Sequence, residues 1–430
     1  MTNSLTQTTL SNGLKILLKE IHTAPIVSAW IWYRVGSKDE PSGHTGLSHW
    51  VEHMQFKGTP QFPASVLDKA ISREGGMWNA FTYLDWTTYF ATMPADKIDL
   101  PLRLEADRMV NSLYDPKEVA SERTVVISER EGNENEPLFR LGEAIQQAAF
   151  RVHPYHHEII GDLADLHSMS RDDLYRHYRT YYQPNNAVLS IAGDFDSKAM
   201  LRRIRELFEA IPSGPTPPRL SRPEPAAAGE HRLTVEGPGE TTYLQVCFHI
   251  PAGDDPAFYP LTVLDSLLAG PSNLNMFGGG GISNKTSRLY RALVEKELAV
   301  GVSGYLSANI DPYLYTFTLT VHPQHTPDEV LAAFDEEVKR IQDERAPAAE
   351  LRRAIKQARA LFAYGSENIT NQAFWLGNAE MFATYNWFLT YLDKLEEVTP
   401  AGLQKAAQTF LRPQNRVVGI YRSTGNGEAA

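Results

Sequence analysis

The sequence predicts an α+β protein of two homologous domains, each a mostly antiparallel sheet with helices packed on one side. A proline-rich stretch, IPSGPTPPRLSRPEPAAAGE at 211–230, cannot continue a helix or a strand, and it divides the 430 residues near their middle. The two flanks repeat each other: MSRDDLYRHYRTYYQPNNAVLSI from Met169 aligns without a gap to VTPAGLQKAAQTFLRPQNRVVGI from Val398. The alignment matches Leu174 with Leu403, Thr180 with Thr409, Pro184 with Pro413 and Asn186 with Asn415. Within each flank, strand-like runs and helical pairs alternate in blocks. The expected division is therefore residues 1–211, a linker at 212–230, and residues 231–430.

In chain order, LKILLKE and IVSAWIWYRV open the first domain as strands. A helix is expected from about Gly46 to Phe56 and another near Ala64 to Ser72. GGMWNAFTYLDWTTYFATM, rich in β-branched and aromatic residues, reads as paired strands. Asp115 followed by Pro116 has the cap-then-proline signature of a helix start, and that helix should reach Glu129 or beyond. Each copy of the repeat reads as a capped helix, an aromatic or apolar pair, x-Pro-x-Asn and a strand. In the second domain YLQVCFHI is a buried strand, while TPDEVLAAFDEEVKRIQ and PAAELRRAIKQARALFAY are amphipathic helices.

Hydrophobic residues make up 42% of the chain and aromatic residues 10%, enough to build packed cores. With 41 Lys and Arg against 52 Asp and Glu, a net charge of −11 argues against binding nucleic acid through its phosphates. The one cysteine, Cys247, has no partner for an internal disulfide and fits a small core residue better than a nucleophile. The N-terminal residues carry neither a basic-then-apolar signal nor an Arg-rich one, and no run of 18 apolar residues occurs anywhere. The expectation is a cytoplasmic protein that does not engage a membrane.

Chemistry concentrates in HWVEH at 49–53. On a helix, His49 and His53 project from one face a turn apart, with Glu52 on the same side. Two imidazoles and a carboxylate aimed into one space suit zinc, which needs three protein ligands and an open position for hydrolysis. The third ligand should come from a second helix. PKEVASERTVVISERE places Glu122 and Glu129 seven residues apart on one face, and Val125 and Val126 between them are expected to face the core. A carboxylate on a buried helix requires a partner.

HTGLSHWVEHMQFKGT, GGMWNAFTYLDWTTYF and SERTVVISERE together resemble the inverted H-x-x-E-H zinc metallopeptidases of the pitrilysin, insulinase and mitochondrial processing peptidase superfamily. The resemblance extends over essentially the whole chain. It implies that His49, His53 and Glu129 bind one zinc ion, that Glu52 is the general base for peptide hydrolysis, and that Glu122 supports a histidine ligand. His44, five residues before the first ligand, reads as structural.

By the same resemblance, Gly75 to Ala80 belongs to a sheet-edge strand that an extended peptide joins through main-chain hydrogen bonds, which makes Asn79 and Ala80 substrate contacts. GGGGISNKTS at 278–287 lacks the glycine that a phosphate-binding loop places before its lysine, since Asn284 stands there; its four glycines read instead as a mobile loop, which the resemblance implies lies at a cavity mouth. One departure stands out. Family members active as single chains carry an arginine and, about seven residues later, a tyrosine in the second domain, to orient substrate and stabilise the oxyanion. Here LVEKELAVGV puts Val294 and Val300 in those places, and the spacing of Arg288, Arg291 and Tyr305 does not make them substitutes. The chain thus resembles the zinc-bearing subunit of the heteromeric branch. It is expected to act on unfolded peptides or oligopeptides with a homologous partner that carries the pair, or as a homodimer. The other reading is a non-catalytic chamber or assembly subunit, which has no need to keep His49, Glu52, His53 and Glu129 together.

Overall fold

The computed structural model describes residues 5–275 and 281–425. It forms two compact units, each built on its own sheet. The first unit comprises Met1–Glu131, His157–Ser221 and Glu367–Tyr385. Its sheet contains β1 (Leu5–Thr9), β2 (Lys15–Glu20), β3 (Ile26–Tyr33), β4 (Met77–Thr82), β5 (Thr87–Pro94) and β6 (Ala187–Gly193), in the spatial order β1-β2-β6-β3-β5-β4. Only β2 and β6 run parallel.

The second unit comprises Gly132–His156, Arg222–Ser366 and Asn386–Ala430. Its strands are β7 (His231–Gly237), β8 (Tyr243–Ile250), β9 (Ala299–Tyr305), β10 (Tyr313–Val321) and β11 (Arg416–Ser423), in the order β7-β11-β8-β10-β9, with only β7 and β11 parallel. Apart from β1, which adds an outer strand, the two sheets have one topology. Cys247 lies buried in β8, where loss of hydration pushes its thiol up to about 12.

The repeat in the sequence is a repeat of contacts. Leu174 and Leu403 are both fully buried. The Thr180 hydroxyl donates to the Arg176 carbonyl at 2.8 Å and the Thr409 hydroxyl to the Lys405 carbonyl at 2.7 Å. Asn186 Nδ2 donates to the carbonyls of Tyr181 and, at the end of β3, Arg34. Asn415 Nδ2 donates to those of Phe410 and, in β8, His249. Each asparagine ties the end of its helix to the equivalent strand, so the shared Pro-x-Asn has a backbone-satisfying role in both units.

The compact units depart from the two sequence halves by a helix in each direction, and the exchanged helices leave each sheet covered on both faces and not on the one side expected from the sequence. In the first unit, helix Asp99–Asn111 lies on one face of the sheet, where the Arg108 guanidinium sits 4.1 Å from the Tyr89 ring centre. The opposite face, carrying Trp30, Trp32 and Phe90, is covered by helix Ile369–Phe382 from the second half of the sequence. In the second unit Phe334, on helix Pro327–Asp343, packs against Phe248 and Phe317, and helix Pro137–Ala149 from the first half covers the other face. Both transferred helices meet a glycine-sized gap. A Cβ on Gly419 of β11 would stand 2.6 Å from Ile145, and one on Gly377 would stand 2.0 Å from the Trp32 indole nitrogen. Gly377→Ala is therefore expected to lower stability by roughly 1–3 kcal/mol, the usual cost of overpacking, as read by denaturant unfolding.

Residues 211–230 hold no helix or strand, yet they are tied down. The Glu224 carboxylate accepts the backbone N–H groups of Arg151, Val152 and His153 at 2.8–3.0 Å. Among the described residues no helix is long and apolar enough to cross a membrane.

Candidate metal centre

The candidate centre lies in the first unit, on helix Leu47–Met54. Its start is set by Gly46, which takes φ +86° and whose absent Cβ would stand 2.3 Å from the Ile160 carbonyl oxygen. The Glu40 carboxylate then accepts the N–H groups of Gly46 and Ser48 at 2.8 and 2.6 Å and pairs with His157 at 3.0 Å. This satisfies orphan amides of the first turn and complements the helix dipole. Leu47, Trp50, Val51 and Met54 are buried, while the rings of His49 and His53 lie 4.6 Å apart on the remaining side. The helix is shorter than the expected Gly46–Phe56 because the chain turns at Gln55.

The second element is helix Pro116–Asn133, whose buried stripe is Val119, Glu122, Val126 and Arg130. Val125 does not face the core with Val126, as expected from the sequence; it is 48% exposed. Neighbouring positions differ by about 100° around a helix, so a stripe through Val126 turns Val125 outward. Glu122 and Glu129 share a side but lie two turns apart, and they meet different atoms of the histidine pair. Glu122 Oε1 accepts from His53 Nδ1 at 2.8 Å, and the other oxygen of Glu122 pairs with Lys57. Glu129, with its side chain 44% exposed, lies 3.9 Å from His49 Nε2 and 3.6 Å from His53 Nε2.

One ligand atom from each of His49, His53 and Glu129 lies within 4.8 Å of the others. Two donors each about 2.1 Å from a tetrahedral zinc stand about 3.4 Å apart, so these separations fit a small divalent cation. Burial, with the charge of His53 added, drives the His49 imidazole down to about 3, so it is neutral and able to ligate. Burial also depresses His53, but the Glu122 hydrogen bond and the charges of Glu52, Glu122 and Glu129 outweigh it and hold His53 above its ordinary value. His44 is not part of this cluster and lies 3.7 Å from Asp173.

Glu52, on the same helix, is only 8% exposed. Burial pushes its carboxyl up to about 7, against the opposing pull of a hydrogen bond from Thr82. That bond, Thr82 Oγ1 to Glu52 Oε2 at 2.6 Å, has no direct signal in the sequence. Its only trace there is that Thr82 lies two residues beyond Ala80, hence on the same face of β4. Strand β4 is at the sheet edge. Its Ala80 is buried, its Asn79 is exposed, and the Asn79 Oδ1 accepts the Ala80 N–H at 2.9 Å.

In the second unit, Val294 ends the helical turn Tyr290–Val294, and Val300 lies on β9 with 60% of its surface exposed. Arg288 is held in a two-pronged ion pair with Glu350, at 2.9 and 2.7 Å. Of the expected mobile loop at 278–287, residues 278–280 lie outside the described residues; Asn284 donates to the Val302 carbonyl at 2.8 Å.

Two family profiles match in tandem: the one described as Insulinase (Peptidase family M16) over residues 15–163, and the one described as Peptidase M16 inactive domain over residues 168–358. An uncharacterized zinc protease of Streptomyces coelicolor is 27% identical over 425 residues, covering 96% of this chain and 89% of that protein. A probable mitochondrial-processing peptidase subunit beta of Arabidopsis thaliana is 28% identical over 285 residues, covering 66% of this chain and 54% of that protein. The crystal structure of a protease from Helicobacter pylori superposes with a TM-score of 0.90 at 23% identity, covering 98% of this chain and 99% of that one.

Proposed function

From the premise that the chain belongs to the M16 insulinase family of zinc peptidases, we propose that it is the zinc-bearing, base-bearing subunit of an endopeptidase acting on unfolded peptides. The observation that carries this reading is the convergence of His49, His53 and Glu129 beside a buried Glu52. In the proposed roles, those three residues hold one zinc ion. Zinc, when bound, acidifies a water and polarises a peptide carbonyl.

The chain's own residues do the rest. A peptide adds to the free edge of β4, where Asn79 releases the Ala80 N–H to a substrate carbonyl. Thr82 occupies Oε2 of Glu52 and leaves Oε1 to take the proton of the attacking water and return it to the departing amine. The hydroxyl thus goes to the carbonyl carbon and the proton to the nitrogen, completing hydrolysis. Thr82→Val, which keeps the shape and removes the donor, is expected to lower kcat by about tenfold with KM little changed, measured as initial rates on one peptide.

Oxyanion donors are the weak point of this chain. Val294 and Val300 cannot donate hydrogen bonds, and Arg288 is engaged by Glu350. We therefore assign the arginine and tyrosine to a homologous partner subunit. The test is hydrolysis of a mixed fluorogenic peptide set with zinc quantified, by the chain alone and mixed with a homologue bearing the pair. One zinc per chain with activity only in the mixture supports the reading. Full activity alone removes the partner from it, and no zinc with no cleavage in any mixture replaces it with an assembly role.

A further inference from the structure

The proposed zinc site is braced unequally. His49 Nδ1 is buried with no hydrogen-bond partner among the described residues, so no hydrogen bond at that nitrogen orients the ring. His53 is held at Nδ1 by Glu122, and Glu122 is held in turn by Lys57. Lys57 lies outside the ligand pattern, four residues beyond His53 in the turn that ends the helix. Its N–H donates to the Met54 carbonyl at 3.0 Å, and the next residue, Gly58, takes φ +91° where a Cβ would stand 2.6 Å from the Ala64 nitrogen. The turn is therefore fixed, and from it the Lys57 ammonium reaches the Glu122 carboxylate. The Lys57 side chain is 27% exposed, while that of Glu122 is almost fully enclosed.

Resting on the metal-site reading above, we propose that Lys57 is a positioning residue for the zinc centre: it anchors the second oxygen of Glu122, so that the first stays on His53 Nδ1 and the ring presents Nε2 toward Glu129. Among the ion pairs and side-chain hydrogen bonds described, Glu122 meets only His53 and Lys57, so the two contacts together fix its carboxylate plane. An enclosed carboxylate oxygen that loses its cation is left without compensation for its lost hydration, and the side chain gains by turning toward water. That turn takes the accepting oxygen off Nδ1. The His53 ring is then free to rotate, and the separations of its Nε2 from Glu129 and His49 are no longer held.

Zinc dissociation constants by chelator competition near neutral pH test this on the full chain, with metal-free melting curves alongside. Lys57→Met is expected to weaken zinc binding by about 10- to 100-fold, the usual effect of losing an outer partner of a ligand, with the metal-free melting temperature little changed. Lys57→Arg should recover most of the affinity. Lys57→Gln, which carries no charge, should recover clearly less, because Lys57 meets that Glu122 oxygen as an ion pair and not through a hydrogen bond. Wild-type affinity in Lys57→Met, or equal losses in Lys57→Met and Lys57→Arg, overturns the proposal. If Lys57→Met fails to fold, the contrast between Lys57→Gln and Lys57→Arg decides in the same way. A wild-type chain that takes up no zinc overturns the metal-site reading itself, a result distinct from zinc binding that is indifferent to Lys57.

Discussion

Replacing Glu52 by glutamine is expected to cut peptide hydrolysis by about 10²- to 10⁴-fold while the zinc content stays at the wild-type level. Glutamine keeps the shape and can still accept the Thr82 hydroxyl through its amide oxygen, but it cannot take a proton from water. The same substitution should stabilise the metal-free protein at alkaline pH. Burial holds Glu52 at about 7 in the folded chain against an ordinary value of 4.5, so the folded state binds the proton more tightly than the unfolded state. The contribution of this group to stability is therefore fully present below pH 4.5 and is lost as pH rises through about 7. At pH 8 the ionised carboxylate costs up to about 3 kcal/mol, since each pH unit separating the folded and unfolded values is worth roughly 1.4 kcal/mol. Denaturant unfolding of the chelator-treated proteins should show Glu52→Gln more stable than wild type at pH 8 and equal to it near pH 4. A variant that is both inactive and less stable at pH 8 would mean that the loss of activity reflects misfolding and not a lost base.

The second large effect concerns the oxyanion donors assigned to the proposed partner subunit. Mixing the chain with a homologue that carries the arginine and tyrosine is expected to raise kcat/KM by about 10²- to 10³-fold, the usual value of one oxyanion donor, about 2.7–4 kcal/mol. The rise should appear in kcat more than in KM, because such a donor acts mainly on charge that develops in the transition state. Mutating the partner's arginine should remove the gain without changing the zinc content of this chain. An equal rate with and without the partner, at full zinc occupancy, would place the donors within this chain.

The histidine pair was legible because both residues and Glu52 belong to one short helix whose period alone puts them on one side. The repeat was legible for a similar reason: Asn186 and Asn415 each satisfy backbone within a local helix-turn-strand unit. Helical spacing could not divide the work between Glu122 and Glu129, since both occupy the same face. Their difference arises from where the histidine helix lies across them, Nδ1 against one carboxylate and Nε2 against the other. Val125 was misplaced because an apolar residue beside a buried one is still about 100° away from it. Thr82 and Lys57 were missed because their partners, Glu52 and Glu122, are 30 and 65 residues distant in sequence.

By itself the sequence determined the two sheets with their helices and the doubled topology, because each is written as a period of 2 or 3.6 or as a turn that few residues can make. Tertiary structure alone decided which helix covers which sheet, with Pro137–Ala149 and Ile369–Phe382 each seated on the sheet of the other half, and which carboxylate faces which histidine nitrogen. Those choices depend on close packing between distant segments, where the absence of a single Cβ at Gly377 or Gly419 decides whether a helix can approach at all.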